Sequence, residues 1–150
     1  MLREDLQNSL KDAMKNKDMK TVGAIRLIIA GQKEKDVEAR GKGLEKASDA
    51  DLLSMMQTMI KQRNESVKIY TESNRPDLAE KEQAEIEVIN RFLPKQMDAA
   101  EIDEAIKAAI AETGAAGIRD MGKVMGALKA KYAGKMDFGA ASAAIKKFLA

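Results

Sequence analysis

Apolar side chains recur every three or four residues along most of the chain, which is the spacing of an α-helix with one buried face. In residues 1–94 this repeat is interrupted at residues 16–18 (NKD), at Gly41 and Gly43, and at residues 74–77 (NRPD). Ser48, followed by Asp51 three residues later, is typical of a helix start. The pattern therefore predicts four helices, the third and fourth of which form a long antiparallel hairpin, and it makes residues 41–47 the most mobile loop.

A second group of helices is predicted after Pro94. Asp98, with Glu101 three residues later, is a new helix start with an acidic first turn. Three apolar stripes follow, the first of which ends at Gly114 and the others of which cover residues 121–132 and 138–149. We therefore predict an all-α fold with two domains, namely residues 1–94 with about four helices and residues 95–150 with three.

The amino-acid composition agrees with an all-α fold and excludes several kinds of active site. Of the 150 residues, 45% are apolar and 3% are aromatic, and strong helix formers dominate. Because the chain contains no Cys and no His, a disulfide, a thiolate zinc site and the commonest general base are absent. We expect no metal, no cofactor and no catalytic residue. The N-terminus lacks a signal-peptide core and no apolar run is long enough to span a membrane, so the expected location is cytoplasmic.

Two glycines one helical turn apart, Gly122 and Gly126, lie in the sixth predicted helix. A glycine inside a helix costs about 1 kcal/mol relative to alanine, so its presence suggests that another group approaches the backbone closely. Close packing against another helix of the C-terminal domain is the favoured explanation, and an open face that binds a phosphate backbone is the alternative.

Basic residues accumulate around these glycines. Residues 1–94 contain 17 basic and 17 acidic side chains, whereas residues 119–150 contain 7 basic and 2 acidic ones, a net charge of +5. Such an excess is the electrostatic requirement for binding phosphates. The predicted tRNA-binding residues are Arg119, Gly122, Lys123, Gly126, Lys129 and Lys131.

Charged residues also interrupt the inner faces of the third and fourth helices. Arg63 lies within the apolar stripe of the third helix, and Glu82 and Glu85 lie within that of the fourth. An antiparallel hairpin that turns near Arg75 brings Arg63 next to Glu85. We interpret this as a structural ion pair that fixes the helix register, in a polar cluster of Lys33, Arg63, Glu82 and Glu85 that is structural or binds a partner.

Several separated motifs resemble those of the YqeY family, in the same order and with the same spacing. They are residues 26–30 (RLIIA), 33–35 (KEK), 61–66 (KQRNES) with Tyr70, 75–79 (RPDLA) with Glu82, and 92–96 (FLPKQ). Residues 120–126 (DMGKVMG) and the helix that follows resemble the tail domain that YqeY proteins share with GatB, a subunit of the glutamine-dependent aspartyl/glutamyl-tRNA amidotransferase. The resemblance implies a helical N-terminal domain, a three-helix tail and a connection to tRNA-dependent amidation.

The leading interpretation is an accessory protein, not catalytic alone, whose tail binds tRNA or a tRNA-handling complex. In GatB the tail is associated with tRNA recognition, whereas amide formation belongs to a domain that has no counterpart here. One alternative is a carbon–nitrogen ligase with glutamine as amido-N-donor. Another is a helical protein–protein adaptor that binds through the Met-rich third helix. The oligomeric state is left open.

Overall fold

The computed structural model describes residues 1–150 and confirms the all-α fold, with seven α-helices and no strand. The chain forms two compact units, Met1–Pro94 and Lys95–Ala150. The helices are α1 (Leu2–Lys15), α2 (Met19–Gly41), α3 (Asp49–Glu72), α4 (Pro76–Asn90), α5 (Ala99–Thr113), α6 (Met121–Tyr132) and α7 (Phe138–Leu149), and a single 3-10 turn, Ile118–Asp120, precedes α6.

In the first unit, α3 and α4 form the long hairpin, and α2 packs against both of them and against α1. The apolar stripes of the four helices meet in one core, because each helix turns its three-to-four-residue repeat inward. Fully buried side chains of this core include Leu6, Ile25, Ile28, Leu52, Met56 and Ile89. No side chain between residues 61 and 85 is fully buried, so the distal part of the hairpin is a two-helix arm.

Side-chain caps fix the helix starts in the places where the sequence predicts them. The Ser48 hydroxyl accepts from the backbone N–H of Asp51 at 3.1 Å, and the Asp51 carboxylate accepts from the N–H of Ser48 at 3.2 Å. In the second unit, the Asp98 carboxylate accepts from the N–H of Glu101 at 2.8 Å. Each of these bonds satisfies a donor that the first helical turn leaves unpaired.

A bidentate ion pair connects α1 with the outer half of α2. Both terminal nitrogens of Arg3 donate to the Asp36 carboxylate, at 2.7 and 2.8 Å, and one of them also donates to the Ala47 carbonyl at 2.8 Å. The Ala47 N–H donates back to Asp36 at 2.9 Å. The Arg3 guanidinium and the Ala47 N–H lower the pKa of Asp36 to about 2. The loop predicted to be mobile is thus anchored at Ala47, which is buried.

The second unit has its own core, in which α6 packs against α5 and α7. Its fully buried side chains include Ile106, Val124, Leu128, Met136 and Ile145. The helix α5 ends at Gly114, whose φ of 66° lies in the left-handed region that glycine adopts without strain. The helices α5 and α7 hold α6 with one face inward and leave its opposite face outside.

Candidate nucleic-acid interface

Helix α6 has a well-defined buried face. Val124 and Leu128 are fully buried, and Met121, Met125 and Tyr132 pack against the same core from its edge. These five residues are the ones that a rotation of roughly 100° per residue places on one side of the helix. The opposite side is therefore free of any packing role inside the unit.

Both glycines of α6 lie on that opposite side. A Cβ atom added to Gly122 or to Gly126 would have no heavy atom within 4 Å beyond the local helix backbone. The favoured explanation from the sequence, close packing against another helix of the unit, is therefore wrong. The spacing alone did not reveal this, because it gives the direction in which a residue points but not whether a neighbouring helix occupies that direction.

Two lysines lie on either side of the glycines. Lys129 follows Gly122 by seven residues, or about two turns, so the two residues lie on nearly the same line parallel to the helix axis. Lys123 lies on the other side of Gly126 around the helix. Both lysines are exposed, and Lys123 is only loosely associated with Asp120, at 4.0 Å. We define the glycine face as Gly122, Lys123, Gly126 and Lys129.

Arg119 stands in the turn before α6. The neighbouring Asp120 is turned back, because its carboxylate accepts from the Ala116 N–H at 2.9 Å. Arg119 itself is exposed and has no ion pair, and the same holds for Lys129. The structure therefore leaves both cations available at the two ends of the glycine face.

Lys131 does not lie on the glycine face, although the sequence grouped it with the other cations. Its ammonium donates to both oxygens of Glu112 on α5, at 3.0 and 3.3 Å, and this carboxylate raises the pKa of Lys131. The position follows from helical rotation, since Lys131 is five residues beyond Gly126 and points to the α5 side. Its charge is already balanced locally.

The polar cluster predicted for the first unit is present only in part. Arg63 Nε donates to Glu85 Oε2 at 2.9 Å, and Arg63 also donates to the Met59 carbonyl at 3.1 Å. The two charged side chains are 15% and 18% exposed, so the pair is largely shielded. This is the ion pair expected from the hairpin. Glu82 is half-buried on the same helix as Glu85.

Lys33 does not join this cluster. It is exposed, and it does not line the half-open cavity of about 670 Å³ between α2 and α3. Glu34 and Lys35 line that cavity instead, because Lys33 lies two residues from Gly31, where α2 meets α3, and therefore points away. Lys35 is paired with Glu38 at 3.0 Å. Lys35 and Glu38 thus form an ion pair within one turn of α2.

No helix combines the length and the apolar character needed to cross a lipid bilayer. No group of three or more acidic side chains is arranged to hold a metal ion.

Comparison with known proteins identifies the family. A family model described as Yqey-like protein matches residues 3–149, which is almost the whole chain. The chain belongs to the YqeY family. The matched span includes both units, so the YqeY pattern covers the hairpin of the first unit as well as the glycine face of the second.

Relatives of this YqeY chain carry the name "Altered inheritance of mitochondria protein 41, mitochondrial". The protein from Lachancea thermotolerans is 36% identical over 110 residues, which cover 72% of this chain and 57% of the relative. The one from Candida glabrata is 39% identical over 88 residues, covering 59% and 47%. The one from Pyrenophora tritici-repentis is 32% identical over 132 residues, covering 87% and 70%. The chain spans about half the length of the first two relatives.

These names correct the expected location. The sequence predicts a cytoplasmic protein, whereas the relatives of this YqeY chain are named as mitochondrial proteins. The cytoplasmic prediction rested on the lack of a signal-peptide core, and that feature does not distinguish the cytoplasm from the mitochondrion.

Proposed function

We propose that this YqeY protein is a tRNA-binding accessory protein, and that the glycine face together with Arg119 is its tRNA contact. The observation that carries the proposal is the open surface at Gly122 and Gly126 with exposed cations around it. The backbone of a helical glycine is accessible because no side chain covers it. A phosphate strand is able to approach this surface more closely than it approaches an ordinary helix face.

The charge distribution supports an anionic partner. The net charge of residues 119–150 is +5, whereas that of residues 1–94 is zero. Lysine and arginine side chains that contact phosphates release the counterions condensed on the nucleic acid, which makes binding favourable at low salt. Residues 95–118 have a net charge of −3, so the positive charge of the C-terminal unit is concentrated in residues 119–150, and this is the part of the chain that an RNA would contact.

The connection to glutamine-dependent tRNA amidation rests on the resemblance to the GatB tail. Residues 120–126 (DMGKVMG), on which that resemblance depends, include three of the four residues of the glycine face. In this proposal the YqeY chain binds tRNA and leaves the formation of the amide to other proteins. A glutamine-dependent transamidation carried out by the isolated chain is the result that the carbon–nitrogen ligase alternative requires.

The test is tRNA binding by the full chain across a salt series. A variant with Arg119→Glu, Lys123→Glu and Lys129→Glu is compared with a control that has Lys11→Glu, Lys15→Glu and Lys68→Glu, which changes the net charge equally at exposed sites of the first unit. The first variant is expected to bind more weakly and to show a salt slope smaller by about 0.9 for each phosphate that the protein no longer neutralises. Equal binding by both variants refutes the proposal.

A protein-binding adaptor is the second candidate, and the cavity between α2 and α3 favours it. Met55 and Met59 line that cavity, and so does Leu27, which is 45% exposed. Methionine side chains adapt to irregular apolar partners, which suits a binding groove. Salt-insensitive association with a protein that disappears in a Met59→Glu variant supports this candidate, because apolar contacts are not screened by salt.

A further inference from the structure

The exposed polar side chains of α6 are all lysines. The helix reads MGKVMGALKAKY and has no Asn, Gln, Ser, Thr, Asp or Glu side chain. In an open major groove the amides of Asn and Gln read base edges, and so do lysine and arginine at guanine, but the deep, narrow major groove of A-form RNA keeps side chains away from these edges. On a double-helical RNA, the lysine ammonium groups and backbone atoms of the glycine face therefore contact phosphate and sugar, which are the same for every base sequence.

Aromatic stacking is also missing from this surface. Tyr132 and Phe138 are half-buried and pack against the core of the unit. Phe148 of α7 is 42% exposed, and the ammonium of Lys107 lies 6.0 Å from the centre of its ring. Proteins that bind single-stranded RNA stack successive bases on exposed aromatic rings. The glycine face has no such ring, so it does not hold a run of unpaired bases by aromatic stacking.

From this inventory we infer that the glycine face takes a double-helical arm of RNA and contacts its sugar–phosphate backbone, with no dependence on base sequence. The inference rests on the proposed function and specifies which part of the RNA is bound. Double-stranded RNA is recognised mainly by shape and by contacts to phosphate and to the 2′-hydroxyl groups across a wide, shallow groove. A helix face without bulky side chains at Gly122 and Gly126 and with cations at its margins meets that requirement.

The length of the surface agrees with contacts to several phosphates. Lys123 and Lys129 are six residues apart, which is about 9 Å along α6 at 1.5 Å per residue, and Arg119 in the 3-10 turn before the helix extends the surface further. Lys123 lies on the opposite margin of the face from Lys129. Gly122 and Gly126 occupy the middle, where a larger side chain would hold the RNA away from the helix. The cations thus contact the phosphates while the glycines set the distance.

The first experiment compares RNA probes on the full chain by fluorescence anisotropy at low salt. The probes are an RNA hairpin, a second hairpin with the same number of base pairs in scrambled order, and a single-stranded RNA of equal length. We expect the hairpins to bind within about threefold of each other and at least about tenfold more tightly than the single strand. Equal binding of the single strand, or a tenfold preference between hairpins, overturns the inference.

The second experiment separates shape from charge. Gly126→Leu adds a side chain at an open site and changes no charge, and Ala111→Leu on α5 is a matched control at another exposed small residue. Gly126→Leu is expected to weaken hairpin binding about tenfold, and Ala111→Leu to leave it unchanged. If Gly126→Leu binds normally, the helix surface is not the docking site.

These outcomes are distinguishable from failure of the proposed function. If charge reversal at Arg119, Lys123 and Lys129 abolishes tRNA binding while Gly126→Leu has no effect, the C-terminal unit binds RNA but not by close approach to α6. If charge reversal has no effect on tRNA binding, the proposed function itself is refuted, whatever the result with Gly126→Leu.

Discussion

Replacing Gly126 by alanine is expected to stabilise the C-terminal unit. Gly126 is the sixth residue of the twelve-residue helix α6, so it is interior to the helix, and its Cβ would meet nothing within 4 Å. A glycine-to-alanine change at an exposed helix interior gains about 0.5–1 kcal/mol, because alanine loses less backbone entropy on folding. This free energy needs no correction for a lost contact or for overpacking, since nothing lies near the added methyl group.

The assay is unfolding of the full chain in urea and on heating, followed by circular dichroism, with hydrogen exchange of the α6 amides to assign the change to this unit. For a unit of this size, 1 kcal/mol corresponds to about 4–8 °C in Tm. In urea the midpoint shifts upward while the slope stays constant, because the surface exposed on unfolding is unchanged. The RNA affinity of Gly126→Ala is then measured separately.

Two other glycines serve as controls for this reasoning. Gly23 in α2 is also exposed and open, so Gly23→Ala is expected to gain a similar amount. At Gly31 an added Cβ would stand 2.7 Å from the Met55 sulfur, so the thioether must shift and Gly31→Ala gains less or destabilises. If Gly126→Ala behaves like Gly31→Ala, the glycine face is occupied and the reasoning is refuted.

Three further changes test the contacts of the two units. Glu85→Gln is expected to cost about 1–3 kcal/mol, because Arg63 stays largely shielded without its partner. Asp36→Asn is expected to cost about 1–2 kcal/mol at neutral pH by weakening the bond to Arg3. It is also expected to make the free energy of unfolding fall less steeply as the pH is lowered. Asp98→Ala removes the cap of α5 and is expected to cost about 1 kcal/mol. Urea unfolding measures all three.

The pH dependence of the Asp36 change has a definite sign. The folded-state pKa of Asp36 is lowered from 3.8 to about 2, mainly by the hydrogen bonds from Arg3. The stabilisation is therefore complete above about pH 5 and is lost progressively as the pH falls through 3.8 towards 2. Parent and Asp36→Asn proteins should converge in stability over that interval, and a constant difference down to pH 2 contradicts the assignment.

For Glu85, a double-mutant cycle with Arg63→Met separates the interaction energy of the ion pair from the change in packing.

The helices were predictable because their signals are local. Each stripe, break and cap involves residues within a few turns of one another, as with Ser48 and Asp51, so the sequence contains the whole interaction. The Arg63–Glu85 pair was predictable for a related reason. A hairpin with a known turn relates positions on its two helices by symmetry about that turn, and the two residues are only 22 positions apart.

Contacts that depend on the packing of separate helices were not predictable. Arg3 and Asp36 are 33 positions apart, on helices whose crossing the sequence does not specify, and nothing in the pattern selects this pair. The same reason explains Lys33 and Lys131. Their faces follow from helical rotation, but which face meets a neighbour depends on where that neighbouring helix lies.

The two glycines of α6 are more informative in the structure than in the sequence. When a glycine lies under a neighbouring helix, as Gly31 lies under Met55, packing accounts for it and no function has to be assigned. Gly122 and Gly126 have no such neighbour, and their conformation is ordinary α-helix, so neither packing nor a positive φ requires glycine. Gly126, which is interior to α6, lowers the stability of a short helix in a unit with a small core. Gly23 of α2 is just as open, so the absence of a packing cause does not by itself assign a function. The α6 pair differs in lying one turn apart within residues 119–150, whose net charge is +5, and in the proposed function the bound partner supplies the contacts that the isolated unit lacks.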